Sequence, residues 1–135
     1  MSNSKPSLIL IGEDDIDDQE ILTEIFGDIN KSFELKFLNS GRQLIKYLDE
    51  LSQDDLPCLI LLDYNMPELN GEEILKRINT NPRFVNIPKV VWSTSSASEY
   101  RERCIRAGAI TYLVKPSTIQ SLKESVSFLL SICQL

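Results

Sequence analysis

Short apolar runs alternate five times along this chain with longer stretches whose apolar residues recur at helical spacing. The runs, at about 8–12, 34–38, 58–63, 89–93 and 110–114, have the length and composition of strands. The first stretch between them, about 16–29, places Ile21, Leu22, Ile25, Phe26 and Ile29 on one face. The second, 41–51, carries Leu44, Ile45, Leu48 and Leu51, and the third, opened by Gly71, carries Ile74, Leu75 and Ile78. The fourth has only a thin stripe of Tyr100, Cys104 and Ala107 before Gly108, which is placed to be its C′ glycine. The fifth, from about Ser117, is expected to bury Ile119, Leu122, Val126, Leu129 and Cys133. Asp17 with Glu20 offers a capping box to the first helix, and Ser95 or Ser96 an N-cap to the fourth.

Strands that alternate with helices imply a parallel sheet covered on both faces. Right-handed crossovers reduce the topologies to a doubly wound α/β sandwich. Five strands and five helices fit the flavodoxin-like order 2-1-3-4-5, expected over residues 7–135 behind a disordered tail at 1–6.

In that order the carboxyl ends of strands 1 and 3 border the crevice where such sheets place their chemistry. Glu13 and Asp14 follow the first strand, Asp63 closes the third, and Lys115-Pro116 follows the fifth. Asp63 is the candidate nucleophile, since a carboxylate can attack phosphorus and form an acyl phosphate. Glu13 and Asp14 are candidate ligands of Mg²⁺, a hard ion that takes oxygen donors and keeps several waters. Three carboxylates against one lysine leave a deficit that one divalent ion cancels, which is the electrostatic logic of phosphoryl transfer. Pro116 would fix the turn that aims Lys115, a cis bond being one way to do so. Ser93, at the end of the fourth strand, has a hydroxyl able to donate to a phosphoryl oxygen. Each residue also has a plainer reading: a loop cap for Asp63, a solvated helix start for the acids, surface decoration for Lys115, a capping run for Ser93. Their convergence on one crevice favours the site.

The formal net charge of −6 argues against nonspecific nucleic-acid binding. No apolar stretch approaches membrane-spanning length, and residues 1–6 lack the apolar core of a signal peptide, so a cytoplasmic protein is expected. The chain has no histidine, which removes Ser-His-Asp and Cys-His catalysis. Cys58, Cys104 and Cys133, odd in number and scattered, read as reduced packing residues.

Taken in order, 8–15, 61–67 with Gly71, 90–94, Gly108-Ala109 and 112–116 resemble the receiver domains of two-component response regulators. The resemblance implies that Asp63 accepts a phosphoryl group from a histidine kinase or phosphotransfer protein. It implies that Glu13, Asp14, Asp63 and the backbone carbonyl of Asn65 bind Mg²⁺, and that Lys115 contacts the phosphoryl group. Ser93 would be the switch hydroxyl and Tyr112 the aromatic that changes rotamer. Such a protein is a phosphoacceptor that helps catalyse its own phosphorylation and dephosphorylation, not an enzyme with a turned-over substrate. Gly12 and Trp92 depart from the usual pattern. Ending after a fifth helix, the chain looks like a stand-alone receiver of the chemotaxis-regulator kind. Its stretch 13–20 is similar to the regulators that accompany bacterial phytochrome kinases. Output through the face of helix 4, strand 5 and helix 5, to a downstream protein or a homodimer partner, is expected.

The alternatives are a phosphorelay intermediate, a receiver cut from a larger regulator, a haloacid-dehalogenase-type phosphatase and a flavodoxin. The phosphatase motif has a second acid where Asn65 stands, and carboxylates after the first strand would repel a flavin phosphate.

Overall fold

The computed structural model describes residues 6–30 and 32–133. Its elements are β1 (Ser7–Gly12), α1 (Ile16–Ile29), β2 (Phe33–Leu38), α2 (Gly41–Glu50), β3 (Leu59–Asp63), α3 (Gly71–Ile78), β4 (Lys89–Ser93), α4 (Ser98–Arg106), β5 (Thr111–Val114) and α5 (Ile119–Cys133). A short 3-10 turn at Gln53–Asp55 precedes β3. All strand pairs are parallel, in the order β2-β1-β3-β4-β5. This is the flavodoxin-like order the sequence predicted. Of the tail expected at 1–6, only Pro6 lies among the described residues.

β3 and β4 are buried at every position, which is why they read as unbroken apolar runs. Each fully buried Leu or Ile contributes about 1.5–3 kcal/mol. On one face Leu10, Ile60, Leu62 and Val91 pack with α2, α3 and α4. On the other, Ile9, Ile11, Leu61, Val90 and Trp92 pack with α1 and α5. Gly12 lies where a Cβ would press on Leu44, Met66 and Leu62 at 3.2–3.3 Å, so its lack of a side chain admits the roof over the end of β1.

The helix ends follow local chemistry. Ser40 caps α2, and Asn70 with Glu73 forms a full capping box on α3. On α1 the expected Asp17–Glu20 box is replaced by Asp15, whose side chain accepts from the Asp18 amide. On α4 the N-cap is Ala97, with no side-chain cap; Ser95 Oγ instead accepts from the Ala97 amide, at 3.2 Å. Ile29 and Ile119, expected inside, are 41% and 51% exposed because they sit at helix ends, beyond the stripe the sheet covers. The Lys115-Pro116 bond is trans, like every described peptide bond.

The cysteines also differ from expectation. Cys58 and Cys133 are joined in a disulfide, with Cα atoms 5.2 Å apart, and only Cys104 is free. They lie 75 residues apart in sequence. The start of β3 and the end of α5 meet at the edge of the sheet opposite the strands' carboxyl ends, a proximity that spacing alone does not reveal.

Gly108 has φ +113°, and a Cβ there would meet the Asn79 amide nitrogen that donates to the Ala107 carbonyl at 2.7 Å. Gly108→Ala is therefore expected to lower stability by roughly 1–3 kcal/mol through strain and loss of that bond. Urea denaturation checks this; an unchanged midpoint would contradict it.

Candidate functional site

The parallel topology brings the carboxyl ends of β1, β3 and β5 to one edge. Glu13 leaves β1 fully buried, its amide donating to the Leu38 carbonyl at 3.0 Å. Its own carbonyl accepts from Gln19 Nε2 at 2.6 Å, so the turn into α1 is held from both sides. Asp63 ends β3 almost fully buried, and the next residue extends the ladder through Tyr64 N–H to the Trp92 carbonyl at 2.9 Å. Lys115 follows β5, with its amide on the Ser93 carbonyl at 2.7 Å.

Lys115 Nζ stands at the centre. It donates to Glu13 Oε1 at 3.0 Å, Asp18 Oδ2 at 3.0 Å and Asp63 Oδ2 at 2.9 Å. An ammonium has three protons, so all are used. The other oxygens of the buried acids are also engaged: Asp63 Oδ1 accepts from the Asn65 amide at 3.0 Å, and Glu13 Oε2 from the Asp15 amide at 3.1 Å. Burial works against the charged form of Lys115, but hydrogen bonds to Asp63, Asp18 and Glu13 outweigh it and hold its pKa above the ordinary lysine value. Burial pushes Glu13 up to about 7; its bond to Lys115 opposes this, while the charge of Asp63 adds to it.

Asp14 is exposed beside this buried pair. Carboxylate oxygens of Glu13, Asp14 and Asp63 all lie within 4.8 Å of one another. Three anionic oxygen donors with one open side suit a hard divalent ion that keeps part of its water. The donor set thus fits magnesium or manganese, and it lacks the nitrogen and sulfur ligands of a typical zinc site.

Ser93 is fully buried at the end of β4, with Oγ accepting from the Ser95 amide at 3.1 Å. Tyr112, on β5, is 4% exposed, and its hydroxyl donates to the Ser95 carbonyl at 2.7 Å. Its ring therefore lies inside, packed against the core. Arg101 of α4 donates to the Tyr112 carbonyl at 3.0 Å. Tyr64, next to Asp63, stacks on Tyr100 of α4 with ring centroids 4.9 Å apart. Hydrogen bonds and packing thus run from the acidic crevice to α4.

Sequence reasoning passed over two neighbours of Lys115. Asp18 is one of several acids at the start of α1, and only the phase of that helix singles it out from Asp15 and Asp17. Trp92 lies in the core, but its ring centroid also lies 5.1 Å from Lys115 Nζ.

The family model for the response regulator receiver domain matches residues 9–127. The two-component response regulator ORR5 of Oryza sativa subsp. japonica is 31% identical over 103 residues, covering 75% of each chain. Among solved structures, the phosphorylated cyanobacterial phytochrome response regulator RcpA superposes with a TM-score of 0.82 at 27% identity, covering 93% of this chain and 94% of its own. The Mn²⁺-bound form of response regulator Rcp1 gives 0.81 at 29% identity, covering 93% of each.

Magnesium is expected to raise the unfolding temperature, since binding to the folded state alone adds about 2.7 kcal/mol at a hundredfold excess over Kd. Asp14→Ala should abolish most of that rise while leaving the metal-free melting temperature within a few degrees. A thermal-shift titration decides it; a variant that responds to Mg²⁺ as the wild type does would place the ion elsewhere.

Proposed function

The chain belongs to the family of response regulator receiver domains, and we propose that it signals by taking a phosphoryl group from a phosphohistidine onto Asp63. The observation that carries this is the contact of Lys115 Nζ with Asp63 Oδ2, inside a cluster of carboxylates spaced for a divalent ion. A carboxylate oxygen of Asp63 attacks phosphorus. The P–N bond of the donor breaks, its electron pair stays with the imidazole nitrogen, and an acyl phosphate forms. The donor is a histidine kinase or phosphotransfer protein, because this chain has no histidine of its own. The likeness to RcpA, a phytochrome response regulator, favours a kinase of the phytochrome class as donor.

Lys115 faces the negative charge that develops on the transferred group. Mg²⁺, held by Glu13, Asp14, Asp63 and the Asn65 carbonyl, would when bound neutralise further charge and orient the reacting oxygens. These groups belong to this chain, so a small phosphodonor suffices to load it, and water can later hydrolyse the acyl phosphate at the same site. The phosphatase alternative is disfavoured by Asn65, which offers an amide where a proton-donating acid is needed.

Output runs through Ser93. A phosphoryl oxygen on Asp63 would accept from the Ser93 hydroxyl, whose oxygen accepts here from the Ser95 amide. Ser95 also holds the Tyr112 hydroxyl, and Tyr112 holds Arg101, so a change at Ser93 is felt on α4 and β5. The packing seen here, with Tyr112 inside, is the one phosphorylation would stabilise by population shift. α4 is anchored by one fully buried side chain, Cys104, which suits a mobile element. The face formed by α4, β5 and α5 then meets a downstream protein or a second copy of the chain. Among the described residues no helix is long and apolar enough to cross a membrane, and we place the protein in the cytoplasm.

Two outcomes are expected. With a small phosphodonor and Mg²⁺, the wild type should gain one acid-labile phosphate and Asp63→Asn none; label that survives this change would refute the assignment. Ser93→Ala should still accept phosphate but lose the phosphorylation-dependent change in amide exchange over residues 94–112. Equal exchange changes in Ser93→Ala and wild type would rule out this switch.

A further inference from the structure

Trp92 stands between the strands that carry the site. On β4 it pairs in register with Asp63 of β3 and Leu113 of β5. Its carbonyl accepts from the Tyr64 amide, next to Asp63, and the Lys115 amide is bonded to the following residue, Ser93. The indole is 3% exposed, so both backbone and ring are fixed. The Lys115 ammonium lies 5.1 Å from the ring centroid, within the range of a cation–π contact.

Two observations give this contact a purpose. The first is the fate of the ammonium's other partners. Asp63 is the residue to be modified, and Glu13 and Asp63 both belong to the carboxylate group that can hold a metal ion. Asp18 is a partly exposed helix residue. Each can weaken its hold on Lys115 as the site is loaded, whereas the ring face is recruited by neither metal nor phosphate. The second is the cost of the indole. Its Nε1–H is buried with no hydrogen-bond partner among the described residues. A buried, unpaired donor is unfavourable, and Leu or Phe would fill an apolar position without one. A Trp offers the strongest ring face for a cation, and here it lies beside a desolvated ammonium.

We propose that Trp92 is a positioning residue: its indole face keeps the Lys115 ammonium directed at Asp63 while the carboxylate partners change, and so speeds phosphoryl acceptance through Lys115. This rests on the phosphoacceptor reading of Asp63. Trp92 touches no reacting atom; it acts on the lysine.

The test is a double-mutant cycle on the rate of phosphorylation by a small phosphodonor with Mg²⁺. Trp92→Leu is expected to slow the reaction about five- to thirtyfold, the effect of losing a desolvated cation–π contact. Trp92→Phe, which keeps a weaker ring face, should fall between. In a Lys115→Met background, Trp92→Leu should have no further effect, a result that a purely structural role would not give. If Trp92→Leu does not fold, Trp92→Met supplies the same loss of ring with more volume. NMR of the phosphate-free protein should show ring-current shifts on the Lys115 methylenes that vanish with the ring. Equal rates in wild type and Trp92→Leu, or equal slowing with and without Lys115, would overturn the proposal. A wild type that takes no phosphate, with the NMR shifts present, would instead overturn the phosphoacceptor reading, and this role with it.

Discussion

Ionised carboxylates crowded into a largely buried crevice need a positive charge among them, and in this protein that charge is Lys115. Two unit charges about 4 Å apart interact by about 4 kcal/mol at an effective dielectric near 20. Glu13 and Asp63 are buried, and Asp14 and Asp18 stand beside them. Lys115 spends its three protons on Glu13, Asp18 and Asp63. One ammonium cannot balance this many acids, so the crevice remains a receptor for a divalent cation. Burial is the main reason that the Glu13 pKa rises to about 7, and the charge of Asp63 adds to it.

The sheet makes that arrangement possible. A parallel order of β2-β1-β3-β4-β5 sends the strands that bear Glu13, Asp63 and Lys115 out of the same edge, with β4 between β3 and β5. The ends of β1 and β3 are buried, and the Lys115 amide is tied to the Ser93 carbonyl, so three residues far apart in sequence meet at hydrogen-bond distance. What can move lies around them: the 94–97 segment, the thinly anchored α4, and the bonds through Ser95 and Arg101. A rigid acidic crevice beside a weakly held helix is a reasonable plan for a chemical event that must be read elsewhere.

Much of this was legible in the sequence. β3 and β4 are buried at every position, and an unbroken apolar run is how such strands look on paper. Asp63, Glu13, Asp14 and Lys115 were visible because they punctuate those runs. What was not legible depends on phase and on long-range proximity. Asp15, Asp17 and Asp18 are alike in sequence, and only the rotation of α1 makes one the cap and another the partner of Lys115. The Cys58–Cys133 pair depends on where α5 ends relative to the start of β3. Ile29 and Ile119 fit an apolar stripe whose ends the sheet does not cover. Trp92 reads as one more apolar residue of β4, yet a core position there is also a position under Lys115.

The central claim is that the acidic crevice delivers a phosphoryl group to one carboxylate, Asp63. An acyl phosphate is reduced by borohydride to an alcohol, which leaves a homoserine where the acceptor stood. The most direct measurement is peptide mass spectrometry of the protein after phosphorylation in Mg²⁺ and borohydride trapping. Conversion at position 63, and at no other acid of the crevice, is the result this account predicts. Conversion at Asp14 or Glu13, or none under conditions where the phosphodonor is consumed, would contradict it.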